Sequence, residues 1–583
     1  MVINRMQWKI GGSAGEGIMT TGMIFSKVCA RAGLKTCAYP EYPSLIRGGH
    51  NTYQIFVNDK HATSQLRDVH LLVALNKESI ALHIDELIDG SAVIYDPDDW
   101  GDETPSVEGK DVIMVPVEMT KFAKEHEVDK VARNTVALGA SFGMLGLSLE
   151  NLEGVIQDWF GKKKPELVDE NMEQAEAGYE AVAGKYEQFG YRLERKKGKP
   201  QTVISGNAAI AIGAIKAGMK FFAAYPMTPS SDILSYLAKK EKDYNLVVKQ
   251  TEDELAAMNM IIGAGFAGVR SMTATSGGGF ALMTEALGMA GIAETPCVVV
   301  MGQRPGPSTG LPTWGGQGDL NQVLGASQGE FPRIVLAPGD PKECFYLTHE
   351  AFNLAEKYQA PVVILVDKYN QQTWLSMPHF KTSNLKLERG KMMAQKDLDK
   401  IIGAGSEYLR YKHTDDGISP RTLPGMANGR HVASSYEHFE NGHTTESEEE
   451  TVKQYDKRFK KMETFVENDA EGPKYYGTED ALVTVVGWGS TKLPAIEMLR
   501  LAEEEDVPVN YLHFTYIDPL PKEKVFEAFA HTHKTLCVEG NKLGQLENWL
   551  KQQADITMNG NFHKYGGRPF YPEEMLEKVK EML

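Results

Sequence analysis

Several short runs in this sequence combine reactive side chains with glycine or proline at a spacing that fits ligand chemistry. In Gln250-Thr251-Glu252-Asp253-Glu254-Leu255-Ala256-Ala257, three acids precede the small-residue stretch 258–268. Acids at a helix start favour the helix dipole, which alone accounts for Glu252 and Asp253. Glu254 differs, because it abuts Ala256, Ala257 and an apolar run. A carboxyl buried there without a charged partner would have a raised pKa and would be able to share a proton with a ring nitrogen. In Tyr225-Pro226-Met227-Thr228-Pro229-Ser230-Ser231-Asp232, two prolines stiffen a turn rich in hydroxyls. A helix cap needs only one of them. A positioned Thr228 beside a helix N-terminus suits a small anionic substrate.

Thr273-Ala274-Thr275-Ser276-Gly277-Gly278-Gly279-Phe280 puts glycines just after a predicted strand, where something must come close. Gly302-Gln303-Arg304-Pro305-Gly306-Pro307-Ser308-Thr309-Gly310 follows the predicted strand 296–301. Arg304 emerges at the carboxyl end of that strand, where open α/β sheets bind ligands, and its planar fork suits a carboxylate. An ordinary surface arginine is the competing reading. Near the start, Gly11-Gly12-Ser13-Ala14-Gly15-Glu16-Gly17 lies between a strand and a helix, so its N–H groups can approach a phosphate. It matches neither the dinucleotide fingerprint nor the P-loop, and a simple tight turn explains it as well. Tyr39-Pro40-Glu41-Tyr42-Pro43-Ser44 and Arg47-Gly48-Gly49-His50-Asn51 are predicted as one loop dense in polar groups, with a solvated surface loop as the alternative.

The elements that must carry these runs follow an α/β rhythm. Strands are predicted at 7–10, 71–75, 92–95 and 112–117, with helices at 18–32, 134–159 and 166–185, which implies a parallel sheet. The basic run 193–199 before Pro200 reads as a linker. A second rhythm starts near 202, with strands at 220–224, 269–274, 297–302 and 361–367 between Ala/Gly-rich helices. The charged stretch from 379 to about 477 is predicted as an irregular connection with some helix, and a last α/β rhythm runs from 481. The predicted parts are therefore 1–190, 200–378, 379–478 and 479–583.

The chain has 583 residues, enough for about four domains. Hydrophobic residues at 42% and charged residues at 24% are ordinary globular values. Lys plus Arg is 62 against 79 for Asp plus Glu, giving a formal charge of −17 that repels phosphate backbones, so no nucleic acid is expected. Cys29, Cys37, Cys297, Cys344 and Cys537 are scattered without a CxxC pair. Four local thiolates for an iron–sulfur cluster are thus lacking, and a reducing compartment is expected. Without a run of about 18 apolar residues or a cleavable leader pattern, a soluble cytoplasmic protein with no membrane contact is expected.

Taken in order, Tyr225 to Ser231, Glu252 to Ala257, Thr275 to Gly279 and Gly302 to Gly310 resemble the alpha subunit of the 2-oxoacid:ferredoxin oxidoreductases. The front segment, with its Gly-rich turn and Arg47-Gly48-Gly49-His50-Asn51, resembles the gamma domain that some members fuse ahead of alpha. The resemblance covers nearly the whole chain and is nearest to members that act on 2-oxoglutarate. It implies a multidomain α/β fold with a gamma-type domain, a thiamine-diphosphate pyrimidine-binding domain and a transketolase C-terminal-like domain. The implied reaction decarboxylates a 2-oxoacid, passes two electrons through iron–sulfur clusters to ferredoxin and transfers the acyl group to coenzyme A. For 2-oxoglutarate the product is succinyl-CoA, and the reverse carboxylation is the same chemistry.

By this resemblance Glu254 is the catalytic residue, hydrogen-bonding the pyrimidine nitrogen of thiamine diphosphate. Thr228 and Arg304 hold the acid end of the substrate, and Gly12, Ser13 and Gly15 lie near coenzyme A. The magnesium-diphosphate signature of thiamine enzymes, Gly-Asp-Gly with a downstream Asn, does not occur; Gly318-Asp319 and Gly339-Asp340 lack the rest. The resemblance therefore implies a beta subunit that carries the diphosphate, Mg²⁺ and [4Fe-4S] sites in an (αβ)₂ heterotetramer, with no metal site in this chain. The same chemistry on pyruvate, branched-chain 2-oxoacids or indolepyruvate is the alternative. A nucleotide-binding scaffold, in which Glu254 and Arg304 are merely structural, is the remote one.

Overall fold

In the front part, Met6, Trp8 and Ile10 are fully buried on one face of strand Arg5–Ser13. The Trp8 ring stacks on Phe25 at 4.4 Å, and Phe25 stacks on Phe142 at 5.2 Å, which seats helix Ile18–Arg31 on the sheet. The computed structural model describes residues 1–45, 48–101, 105–126, 132–161, 165–199, 201–478 and 480–583. Arg47 and Pro200 lie outside them.

Strand Arg5–Ser13 pairs in parallel with Val69–Ala74, which continues in parallel to Leu87–Tyr95 and Ile113–Pro116. On its other side the sheet is antiparallel, through His50–Asn58 and Lys35–Glu41. The front sheet is thus mixed and not parallel as predicted, because the connection 42–49 is too short for a crossover helix. The two ends of the predicted polar loop, 39–41 and 50–51, are strand. The single helix predicted over 134–159 is two, Ala132–Leu145 and Glu150–Phe160, divided where Gly146 takes φ +69°. The predicted linker is packed: Leu193 is buried, its N–H donates to Leu145 O at 2.9 Å, and Lys196 N–H donates to Ala32 O at 2.7 Å.

Two strands from farther along the chain complete this sheet. Trp374–Met377 pairs with Lys35–Glu41 and with Thr202–Ser205, making eight strands. The middle sheet runs in the order Val247–Gln250, Phe221–Ala224, Ser271–Ser276, Cys297–Gln303, Pro361–Asp367 and Ile334–Leu336, all parallel. Its seventh strand, Tyr516–Asp518, is antiparallel and comes from the C-terminal part. That part has its own five-stranded sheet, with Val483–Trp488 at its centre between Val509–Phe514 and Lys534–Glu539.

The charged stretch after 379 contains a long helix, Glu448–Asn468. Its acidic first turn opposes the positive end of the helix dipole, and Ser447 caps it by accepting from Glu450 N–H at 3.4 Å. Among the described residues no helix is long and apolar enough to cross a membrane.

Candidate active site

Three loops meet at the carboxyl edge of the middle sheet. The first follows Phe221–Ala224 and carries Thr228 and Ser230; the second is the junction Ser276-Gly277 after Ser271–Ser276; the third begins at Arg304, after Cys297–Gln303. Ser230 Oγ donates to Thr275 O at 2.8 Å, while Gln371 Nε2 donates to Ser230 Oγ at 3.0 Å and to Asn207 Oδ1 at 2.8 Å. The packing leaves no room beside Ser230. A Cβ on Gly302 would lie 2.4 Å from Ser230 Oγ and 2.5 Å from Gln371 Oε1, so glycine is required there by close approach.

Glu254 opens helix Glu254–Phe266, whose N-cap Asp253 accepts from Ala256 N–H at 2.7 Å. The residue is 3% exposed, and its Oε1 has no hydrogen-bond partner among the described residues. Gly279 makes the space for this carboxyl, since a Cβ there would stand 2.4 Å from Glu254 Oε1 and 2.2 Å from Thr275 Oγ1. Burial pushes the Glu254 carboxyl above its ordinary range, and the Asp253 charge acts in the same direction.

Arg304 Nη1 donates to the backbone carbonyl of Thr228 at 2.9 Å, so the fold brings these two predicted residues together. Facing Arg304 is Asp319, which the sequence reading set aside as an incomplete magnesium signature. Burial pushes Asp319 up to about 6, against the opposing pull of the Arg304 charge. Its N–H donates to Gln303 Oε1 at 3.1 Å, and a Cβ on Gly277 would come within 3.2 Å of its Oδ2. Among the described residues, Glu254 Oε1, Ser276 Oγ, Gln303 Nε2 and Asp319 Oδ2 all lack a partner. Buried polar atoms are nearly always paired, so a cluster of exceptions at one sheet edge marks a place shaped for a polar ligand. Ser276 and Gln303 lay inside quoted motifs without being singled out. Asp319 had no local signal of its own.

Gly12, Ser13 and Gly15 lie apart from this cluster. Gly12 and Ser13 belong to strand Arg5–Ser13, and the turn proper is 14–17, with Gly15 at φ +94°. Its amides are engaged within the protein: Ser13 N–H donates to Glu16 Oε2 at 2.7 Å, Ala14 N–H to Gly49 O at 3.2 Å and Glu16 N–H to Ser13 O at 3.2 Å. Those three amides are thus taken within the protein, as in a tight turn. Ala14 instead lines a cavity of about 550 Å³ between the front and middle parts, with Lys27, Trp159, Asp232, Gln371 and Trp374. Lys27 Nζ sits 4.5 Å over the Trp159 ring. Burial lowers the Lys27 pKa and raises that of Asp232.

Residues 212–457 match the family described as "Pyruvate flavodoxin/ferredoxin oxidoreductase, thiamine diP-bdg", and residues 7–181 match "Pyruvate ferredoxin/flavodoxin oxidoreductase". A 2-oxoacid:ferredoxin oxidoreductase subunit alpha from Sulfolobus sp is 34% identical, over 99% of this chain and 97% of its own length. The chain belongs to the 2-oxoacid:ferredoxin oxidoreductase alpha subunits. The 2-oxoglutarate oxidoreductase subunit KorA of Mycobacterium tuberculosis is 30% identical, over 99% of this chain and 91% of its own. A solved structure of 2-oxoglutarate:ferredoxin oxidoreductase from Magnetococcus marinus, with 2-oxoglutarate, coenzyme A and succinyl-CoA bound, covers 99% of each chain at 33% identity and TM-score 0.92.

In this alpha subunit of the 2-oxoacid:ferredoxin oxidoreductases, the thiamine-diphosphate-binding region contains the whole unpartnered cluster. The cluster fits an aminopyrimidine: a buried carboxyl with an open oxygen, next to glycines that admit a flat ring, offers what a ring nitrogen needs. All five cysteines are buried and unpaired, and among the described residues no group of three His, Cys, Asp or Glu is arranged to hold a metal ion.

Proposed function

We propose that this subunit binds the pyrimidine of thiamine diphosphate through Glu254 and the carboxylate of 2-oxoglutarate through Arg304 and Thr228, in an enzyme that forms succinyl-CoA and reduces ferredoxin. The observation that carries the reading is the buried, open Oε1 of Glu254 beside Gly279. When bound, thiamine diphosphate supplies an acidic carbon that becomes the nucleophile toward the 2-oxo group. Glu254, whose pKa burial raises, would share a proton between its open Oε1 and the ring nitrogen. Arg304 offers a charged fork to the carboxylate, and the Thr228 hydroxyl is a neutral donor at the same end. Asp319 lowers the net charge around Arg304 when ionised.

The 550 Å³ cavity, with its lysine over an indole and Ala14 in its lining, is the proposed approach of coenzyme A, and Gly12, Ser13 and Gly15 are the proposed coenzyme A residues next to Ala14 in sequence. Leu255 at 47%, Leu282 at 51% and Phe266 at 39% exposure lie on the two helices that flank the site. They support a beta subunit seated there, carrying the diphosphate, Mg²⁺ and [4Fe-4S] sites, in a cytoplasmic (αβ)₂ assembly. The parts 1–190, 200–378, 379–478 and 479–583 are the proposed domains.

The test is a co-expressed complex assayed with a panel of 2-oxoacids, coenzyme A and an artificial electron acceptor. We expect 2-oxoglutarate to give the highest kcat/KM, and Glu254→Gln to lose roughly 10²-fold or more in turnover, because an amide bonds the ring but exchanges no proton. Wild-type turnover in a folded Glu254→Gln complex overturns the assignment of Glu254, and a clear preference for another 2-oxoacid overturns the substrate.

A further inference from the structure

Arg304 stands at the start of a long loop, 304–319, that has no regular structure of its own, yet a carboxylate anchor must be held within a fraction of an ångström. The loop is gripped from the C-terminal sheet. Gln317 is 2% exposed and makes four hydrogen bonds across that boundary. Its Nε2 donates to Trp488 O at 2.9 Å, and its Oε1 accepts from Gly540 N–H at 2.8 Å. Its own N–H donates to Gly540 O at 2.8 Å, and its carbonyl accepts from Asn541 Nδ2 at 3.1 Å. The slot is built for this side chain. A Cβ on Gly489 would reach 2.8 Å from Gln317 Nε2, and one on Gly540 would reach 3.2 Å from Gln317 Cγ.

A second amide repeats the arrangement one step along. Gln545, also buried, donates from Nε2 to Gly318 O at 2.8 Å and accepts at Oε1 from Asn321 N–H at 3.0 Å. The slot itself is braced by Glu539, fully buried, which accepts from Trp488 Nε1 at 3.1 Å and Asn541 Nδ2 at 2.9 Å. At the outer bend, Arg568 lies 3.3 Å over the Trp314 ring, and Gly315 N–H donates to Gly567 O at 3.1 Å.

The gripped segment touches the residues on either side of Arg304. A Cβ on Gly316 would stand 3.2 Å from Pro305 Cγ and 3.3 Å from Pro305 N, so Gly316 lies directly on the residue after Arg304. On the other side, Asp319 N–H bonds the side chain of Gln303, the residue before it. Any shift of 316–319 must therefore shift 303–305. We propose that Gln317, seconded by Gln545, is a positioning residue for Arg304, so that the C-terminal part sets the affinity for the 2-oxoacid carboxylate. The inference rests on the reading of Arg304 as the carboxylate anchor.

The test is a double-mutant cycle on the co-expressed complex, with Gln317→Met, which keeps the length and loses every side-chain hydrogen bond. We expect Gln317→Met to raise KM for the 2-oxoacid roughly 10-fold, with kcat and the KM for coenzyme A changed less than about twofold. In an Arg304→Ala background the same change should add less than about twofold, since the anchor it positions is already gone. Gln545→Met should act in the same direction, and it decides the matter if the Gln317→Met complex does not assemble. Equal changes in both KM values, additive losses with Arg304→Ala, or unchanged KM in both glutamine variants overturn the positioning role and leave the reading of Arg304 intact. A silent Arg304→Ala removes that reading, and this inference with it.

Discussion

Two buried glutamates on opposite edges of the middle sheet show how one residue type serves different ends. Glu294 lies at the amino edge, just before strand Cys297–Gln303, and is fully buried. Lys457 and Lys461 of helix Glu448–Asn468 both pair with it, Lys461 at 2.9 Å, and hold its carboxyl well below the usual range. Close by, Arg270, Arg389 and Arg421 converge on buried Glu356 at 2.9, 2.9 and 3.2 Å. Every charge of this group is met from within the chain. At the carboxyl edge, among the described residues, Glu254 is buried without an ion-pair partner, and Asp319, Ser276 and Gln303 keep atoms unpaired. A buried charge with partners ties elements together; one without partners is poised for something the chain does not contain.

The largest effect should come from breaking the paired edge. Glu294→Ala leaves two lysines buried without an anion and should destabilise the complex by about 3–5 kcal/mol in denaturant titrations. A loss below about 1 kcal/mol would mean the pair is dispensable and the contrast unfounded. Glu254→Gln should do the reverse: turnover falls by roughly 10²-fold or more while the unfolding midpoint holds or rises. Next comes Arg304→Ala, with about a 10²-fold loss in kcat/KM, about equal for every 2-oxoacid tested, because it would read their shared end. Thr228→Ala removes a neutral hydrogen bond and should cost on the order of 1–2 kcal/mol in the same measurement. A changed preference among 2-oxoacids in Arg304→Ala would move Arg304 to the pocket for the substrate tail.

The smallest effect sharpens the contrast through its sign. Glu254 has a raised folded pKa, so the fold binds its proton more tightly than the unfolded chain does, and its contribution to stability falls as pH rises through the carboxylate range. Glu294 has a depressed one, so its contribution is present above the ordinary carboxylate pKa and is lost as pH falls. The midpoint of Glu254→Gln relative to wild type should therefore climb as pH rises from about 4 to 7, and that of Glu294→Gln should drop as pH rises from about 2 to 5. Parallel trends in thermal scans would refute the assignment of opposite environments.

Much of this was legible along the chain. The burial of Glu254 followed from its apolar neighbours, and the strands before each glycine-rich loop stood out as apolar runs ended by turns. Such patterns report local periodicity, which burial on one face imposes directly. The antiparallel pair Lys35–Glu41 and His50–Asn58 was missed, because prolines and polar residues at 39–51 outweighed the weaker alternation after 51. Asp319 was passed over because a motif test asks for neighbours in sequence, whereas its raised pKa comes from burial in the folded loop, against the opposing pull of Arg304.

By itself the sequence determined the α/β rhythm, the order of the glycine-rich loops and the residues able to hold a proton or a carboxylate, since each depends on side chains within a few positions of one another. The tertiary structure decided which buried acids are paired, that Trp374–Met377 and Thr202–Ser205 finish a sheet begun by Arg5–Ser13, and that Gln317 grips a strand end more than 150 residues away. Those outcomes rest on hydrogen bonds and charge pairs between segments far apart in the chain. A short stretch of sequence shows only that a donor or charge exists, and the folded packing selects its partner.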